Sequence, residues 1–366
     1  MSSTVTPART PPGPARRDKS FAGDGRTEAV TSSTTTLVEL GPDDALFPAW
    51  CEVWAASERA DRPDEAPRPA AEHVALGRQL VEPGGSRDGT HRAALVGDDV
   101  VGALRLLFPL KDNTATAIVD LAVHPHHRRR GVGALLHEEA LRLAAASGRT
   151  ALITEIDEVN SDAPGVSFAS ARGWTCDLTE TRRDLLLPVD EQRLAALEAD
   201  ARARSAGYEL VTWRDRTPEE FLADRALLEQ RMSTDAPHGD LPTEEERWDG
   251  ERVREYEAAS AARGRTLLSA GAVRDGRMVA YTDLQLPRSR PGIAQQAGTL
   301  VLREHRGHRL GALVKAAVLR RLAVEFPQVR RISTYNADSN TPMVAVNEAL
   351  GFVPAGRLTM WSLRLA

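Results

Sequence analysis

Residues 122–136, AVHPHHRRRGVGALL, recur in altered form at 300–314, LVLREHRGHRLGALV, 178 positions further on. The same offset sets Val123 over Val301, Arg128 over Arg306, Gly133 over Gly311, Pro164 over Pro342 and Gly173 over Gly351. About fifty residues stay in register without a gap, which chance likeness of composition would not maintain, so the chain reads as a duplication. The length of 366 residues agrees with two domains.

Each copy carries the same coarse pattern. Two apolar runs flank a turn signal, Gly97-Asp98-Asp99 within 93–107 and Asp275-Gly276 within 269–286, which predicts a hairpin. A strand is expected at 118–123 and at 298–302. An arginine-rich loop follows and opens into a helix, with Leu136, Ala140 and Leu143 on one face in copy one and Val314, Val318 and Leu322 in copy two. A further strand at 151–156 or 331–335 precedes a short helix that starts near Pro164 or Pro342 and stops at Gly173 or Gly351. Strands alternating with helices indicate an α/β fold. Between the copies, 190–207 reads as a linking helix capped by Asp190 and ended by Gly207. Residues 1–35, rich in Pro, Ser, Thr and Arg, bring too little apolar surface to order themselves and read as a disordered tail. The expected domains are therefore 36–187 and 208–366, joined by 188–207.

The net charge of −5 rises in magnitude once that tail, five basic against three acidic side chains, is set aside. An acidic body argues against general nucleic-acid binding. No apolar run reaches the roughly 18 residues of a membrane helix, and no signal peptide is visible. Cys51 and Cys176 make neither a disulfide framework nor a metal site, and they suit a reducing cytoplasm. No metal is expected.

Arg128-Arg129-Arg130-Gly131-Val132-Gly133 lies between an apolar strand and an amphipathic helix. A helix N-terminus offers unpaired N–H groups and a positive dipole end, glycine allows close approach, and arginine adds charge-assisted bonds. That combination suits a pyrophosphate, although the same hexapeptide also describes a tight turn with solvated arginines. The motif resembles the acyl-CoA pyrophosphate loop of GNAT acyltransferases, with Arg128, Gly131 and Gly133 at its fixed positions. The resemblance implies two tandem GNAT-like domains, each a mixed twisted sheet flanked by helices, a tandem form also found in mycothiol synthases. It implies acetyl-CoA or another short acyl-CoA as co-substrate. In copy one Leu121 and Val123 would lie beside the pantetheine arm and Arg128, Arg129, Arg130, Gly131, Val132, Gly133 and Ala134 around the pyrophosphate. In copy two Val301, Arg306, Gly307, Arg309, Gly311 and Asn340 would take part.

The departures from the family pattern are informative. Arg309 replaces the middle glycine of copy two, Asp162 stands where copy two has Asn340, and the family's thiolate-protonating Tyr is Ala169 in one copy and Asn347 in the other. Asp120 and Glu155, carboxylates inside apolar strand runs of copy one, are candidates to relay the ammonium proton, with solvent-facing charge as the alternative. Copy two offers Tyr335. Asp235, His238 and Asp240, in a polar segment over the expected acceptor region, are candidate substrate contacts or an Asx-turn loop. A crowded phosphate loop would cost more than a lost helix cap of about 1 kcal/mol, which favours copy one as the acyl-CoA-binding and catalytic copy. The expected activity is acyl transfer to the primary amine of a small molecule. A non-catalytic acyl-CoA-binding protein and a protein N-acetyltransferase are the alternatives. Acceptor, acyl chain and oligomeric state are open.

Overall fold

The computed structural model describes residues 35–365 except 64, 82–84 and 159–162. Residues 1–34 of the expected tail, and Asp162, therefore lie outside the described residues, while Thr35 opens the first strand. Copy one runs β1 (Thr35–Leu40), α1 (Phe47–Asp61), α2 (Ala70–Leu80), β2 (Arg87–Val96), β3 (Asp99–Pro109), β4 (Thr116–Val123), α3 (Val132–Ala146), β5 (Ala151–Glu158), α4 (Pro164–Ser170) and β6 (Thr175–Leu186). Helix α5 (Glu191–Arg204) follows, its first turn capped by the Asp190 carboxylate, which accepts the Arg193 N–H. Copy two repeats the order as β7 (Glu209–Arg214), α6 (Leu222–Asp235), α7 (Gly250–Ala262), β8 (Arg265–Arg274), β9 (Arg277–Pro287), β10 (Ile293–Val301), α8 (Leu310–Glu325), β11 (Arg331–Ala337), α9 (Thr341–Leu350) and β12 (Val353–Arg364).

Both hairpins turn where the sequence places them. Asp275 and Gly276 take φ of 52° and 75°, the two left-handed residues that a two-residue hairpin needs. Each hairpin also carries a bulge at the equivalent place, Ala94/Leu95 and Ala272/Val273.

The strands form one sheet in the order β1-β2-β3-β4-β5-β12-β6-β11-β10-β9-β8-β7. Only β4–β5 and β10–β11 are parallel. The mixed α/β fold is as expected, but the two copies do not close separate sheets. Each gives its last strand to the other: β12 pairs with β5, β6 pairs with β11, and β6 and β12 pair at the centre. The cores follow the exchange. Trp361 of β12 is buried with Leu104, Leu136 and Leu152 of copy one, and Leu185 of β6 is buried with Leu350 and Phe352 of copy two. A third cluster, around Phe47, Trp50 and Val53, packs α1 on β3.

Candidate active site

In each copy the two parallel strands separate after three paired residues. Thr116–Ile118 pair with Ala151–Ile153, and Ile293–Gln295 pair with Arg331–Ser333. Beyond those residues the strands splay and their facing backbone groups have no ladder partner, which leaves a cleft able to hold an extended chain by main-chain bonds. In copy two a bulge between Gln296 and Thr299 re-aims β10 at this point.

Each cleft ends at a helix N-terminus reached through a loop with two left-handed residues. In copy one these are Arg129 (φ 62°) and Gly131 (φ 87°); in copy two they are Gly307 (φ 87°) and Arg309 (φ 57°). One glycine thus serves each loop, at opposite places. Left-handed residues followed by a helix turn successive N–H groups into an anion-binding concavity. A Cβ on Gly131 or Gly307 would meet nothing within 4 Å. Arg309 does not reach over its own loop: its Nε lies 3.2 Å from Asp200 on α5.

Arg128 and Arg306 share a buttressing arrangement. Arg128 Nε donates to the Val123 carbonyl at 3.2 Å, and its guanidinium grips both oxygens of Asp61 at 2.7 Å. Arg306 Nε donates to the Val301 carbonyl at 3.2 Å and Nη2 to Asp235 at 2.6 Å. Both tie the end of a strand to the end of a helix, α1 or α6. Arg129 and Arg130 hold no ion pair with a described carboxylate. Val132 is buried in the copy-one core, with Leu121 and Val123 packed against it. Ala134 is half-buried in the first turn of α3.

The glycines that follow differ. A Cβ on Gly133 would stand 2.9 Å from the Phe168 ring, so copy one's cleft is crowded beside α3. Gly311 has only a Val301 methyl, at 3.9 Å. Asn340 precedes α9 but makes no side-chain cap bond, so the cap contact expected of it is absent.

The cleft of copy two opens into a cavity of about 160 Å³, lined by Gly298, Thr299, Lys315, Asn336, Asn340 and Met343 among others. Lys315 is buried on α8, among the apolar residues whose spacing predicts that helix. Its Nζ donates to Asn347 Oδ1 at 2.8 Å, and Asn347 Nδ2 donates to Asn336 Oδ1 at 2.6 Å. Burial alone brings the Lys315 ammonium down to about 7. The equivalent residue of copy one, His137, is held in the core by a 3.0 Å bond from Trp174 Nε1.

A larger cavity of about 440 Å³ lies at the seam of the copies, with Glu155 and Asp157 of β5, Glu180 of β6, Arg265 and Arg331 of copy two, and Arg68 of the α1–α2 connection on its wall. Glu180, Ala297 and Tyr335 line both cavities. Glu155 opens onto the larger one and is crowded by protein on its other sides. That desolvation, with repulsion from Asp120, Asp157 and Glu180, pushes its carboxyl up to about 7. Burial also raises Glu180, opposed by the Ala337 backbone N–H. Tyr335 is pushed up to about 12, chiefly by burial, so at neutral pH its hydroxyl is a donor and not a base.

The remaining candidates lie elsewhere. Asp120 is ion-paired to buried Arg105 at 2.5 Å. Asp235 accepts from Arg303 at 2.7 Å and from Arg306, and the Arg303 bonds, ahead of its other neighbours, hold its carboxyl below the usual range. His238 and Asp240 sit on a loop against β6, where Asp240 N donates to the Asp177 carbonyl at 3.4 Å. From that loop, Ala236 and Pro237 line the smaller cavity. Among the described residues no group of side chains could hold a metal ion, and no helix is long and apolar enough to cross a membrane.

Comparison with known proteins bears on this geometry. The Acetyltransferase (GNAT) family profile matches residues 48–173 and 226–352, more than half of the chain. A mycothiol acetyltransferase from Sanguibacter keddieii is 29% identical over 272 residues, covering 73% of this chain and 79% of that protein. A tandem GNAT protein from the clavulanic acid biosynthesis pathway, solved without AcCoA, superposes with a TM-score of 0.73 at 32% identity, covering 90% of this chain and 98% of that one. A GCN5-related N-acetyltransferase from Sphaerobacter thermophilus shares the fold, with a TM-score of 0.59 at 17% identity over 90% and 95% of the two chains.

Proposed function

The chain belongs to the GNAT acetyltransferase family, in its tandem form, and from that premise we propose that it transfers an acetyl or other short acyl group from acyl-CoA to the primary amine of a small molecule, with the chemistry in copy two. The observation that carries this reading is the meeting of the two cavities at Glu180, Ala297 and Tyr335. The narrow one is walled by the splayed backbone of β10 and β11, with Lys315 of α8, and suits the acyl end of a pantetheine arm. The wide polar one suits an acceptor. The residues present fit an acyl-CoA: the loop at Gly307 leaves room for an anion, and the bulged β10 leaves backbone groups facing the cleft. Bound there, the thioester supplies an activated acyl carbon.

The chain's residues supply the rest. An ammonium must lose a proton before its nitrogen can form the new C–N bond, and Glu180, raised by burial at the junction, is suited to accept it. As the C–S bond breaks, the leaving sulfur needs a proton, and Lys315, which near neutral pH is part protonated, is suited to give one and to regain it from the nitrogen, which sheds its second proton as the amide forms. Lys315 then takes the place of the Tyr that neither copy has. Copy one is left as scaffold and as donor of β6. Two observations favour copy two over the intact phosphate loop of copy one: Phe168 stands against Gly133, and Asp200 draws Arg309 off its own loop.

The test is thiol release from acetyl-CoA by the full chain with a panel of small amines, in wild type and Lys315→Met. Release that needs an amine and falls steeply in the variant supports the reading. Binding of acetyl-CoA without turnover on any amine would make the chain a non-catalytic acyl-CoA binder.

A further inference from the structure

Five arginines and five carboxylates line the seam cavity, and seven of these ten hold an ion pair, with one another or with Glu72 and Asp184 behind the wall. Arg62 lies 2.7 Å from Asp157, 3.4 Å from Glu58 and 3.6 Å from Glu65. Arg265 and Arg290 reach Glu72 at 3.2 and 3.9 Å, and Arg331 reaches Asp184 at 3.6 Å. Three groups are left over. Arg68 lies within ion-pair distance of no described carboxylate; its backbone N–H, not its guanidinium, bonds Glu58 at 2.6 Å. Glu155 and Glu180 likewise hold no ion pair with a described residue. Arg68 is near enough to Glu155 to act on its ionisation; burial, then the positive charges of Arg105 and Arg265, lower its own affinity for a proton, and the more distant carboxylates of Glu58 and Asp120 oppose them.

A half-buried guanidinium on a cavity wall, with no carboxylate in reach, is free to pair with an anion that enters. A neutral or purely cationic amine would leave it unpaired. We propose that the acceptor is a small amine carrying a separate anionic group, an amino-acid or amino-phosphate type of molecule, whose anion sits on Arg68 while its ammonium faces Glu155 and Glu180. One carboxylate then pairs with the ammonium, and the second is left to take its proton. The planar guanidinium fork suits a carboxylate or a phosphate equally, so the shared requirement is the anion. This rests on the acceptor lying in the seam cavity, as in the function proposed above.

The experiment compares matched amines with and without the anion: β-alanine, γ-aminobutyrate, 6-aminohexanoate and phosphoethanolamine against ethylamine, propylamine, pentylamine and ethanolamine. Two readouts are used, calorimetric binding to the full chain without acyl-CoA, and thiol release with acetyl-CoA. The expected result is at least a tenfold preference for one or more anion-bearing members. Arg68→Gln should abolish it and Arg68→Lys should partly retain it, with KM changing more than kcat. The carboxylate and phosphate members show which anion is preferred. Equal binding of both series, or an anion preference that Arg68→Gln leaves intact in a folded variant, would overturn the inference. Anion-selective, Arg68-dependent binding without thiol release would uphold it while removing the proposal of acyl transfer.

Discussion

Glu180 and Leu358 face each other across the β6–β12 pair, and they are the same position of the two copies. The axis relating the copies therefore passes between them. On this axis duplication has left a carboxylate on one side and an apolar residue on the other. Because β6 and β12 are exchanged, Glu180 belongs by sequence to copy one but lies at the mouth of copy two's cleft. Two identical halves would present the same group to both clefts; these do not, and the asymmetry supports the proposed placing of the chemistry in copy two.

The exchange makes each core dependent on a strand from the other end of the chain. Trp361→Ala should remove a buried indole from copy one's core and cost about 3–5 kcal/mol of stability. Amide exchange checks the location. Protection should fall in α3 and β5 well before it falls in α8, although residue 361 lies in copy two by sequence. An equal loss in both helices would mean that the sheet unfolds as one unit and that the cores are not separable.

Glu180→Leu reproduces on one side of the axis what the other side already has. If Glu180 takes the acceptor's proton, kcat should fall by about 10²–10⁴-fold, as for loss of a general base, with little change in affinity for acetyl-CoA. Asp120→Asn is the contrasting case. Its carboxylate neutralises buried Arg105, so the expected effect is a stability loss of about 1–3 kcal/mol with kcat largely kept. Steady-state kinetics with parallel denaturation curves separate the two outcomes.

The repeat, both hairpins, the helix-opening loops and the α5 cap were all legible, because each is signalled by residues close in sequence: Asp275-Gly276 for a turn, Asp190 for a cap, glycine before a helix. The strand exchange was not. Whether β6 folds back on β5 or crosses to β11 leaves the alternation of its side chains unchanged, so no local pattern records it. The site suffered for the same reason. Asp157 and Glu180 reach the seam only through long-range pairing. Asp235, a candidate substrate contact by sequence, ends α6 and is claimed by Arg303 and Arg306 from another element. Lys315 did leave a trace, as one of three lysines in the chain and the only one in a run otherwise apolar from Leu310 to Leu319. A charge buried on an all-round apolar helix needs a reason, and here that reason is the cavity.

Gly307 and Gly131 allow a matched test of which loop holds the pyrophosphate. Both have φ of 87° and open space above them, so valine at either introduces similar backbone strain, roughly 1–2 kcal/mol, and projects a branched side chain toward the anion. Gly307→Val should weaken acetyl-CoA binding at least tenfold, and Gly131→Val should leave it within about twofold of wild type. Calorimetry on both variants decides the matter, and the reverse pattern would return the acyl-CoA to copy one.

Lys315 makes a prediction about pH whose sign can be worked out. Its ammonium ionises at about 7 in the folded chain against 10.5 when exposed, so between those values the unfolded chain binds more protons. Stability contributed by keeping this group neutral therefore rises as pH rises from about 7 toward 10.5, and the burial penalty is felt in full below 7. Lys315→Met, which removes the penalty while keeping an unbranched chain one atom shorter, should stabilise the protein by a few kcal/mol at pH 7, and by much less near pH 10. Activity should move the opposite way. A lysine that gives its proton to the leaving sulfur must be protonated, so kcat should fall as pH rises above about 7, and the methionine variant should lose most of its rate together with that alkaline limb. A variant that is more stable at pH 7 and less active is hard to obtain from a residue that merely fills the core, since removing such a residue would lower both. A Lys315→Met enzyme with wild-type kcat and an unchanged alkaline limb would assign the proton to another group.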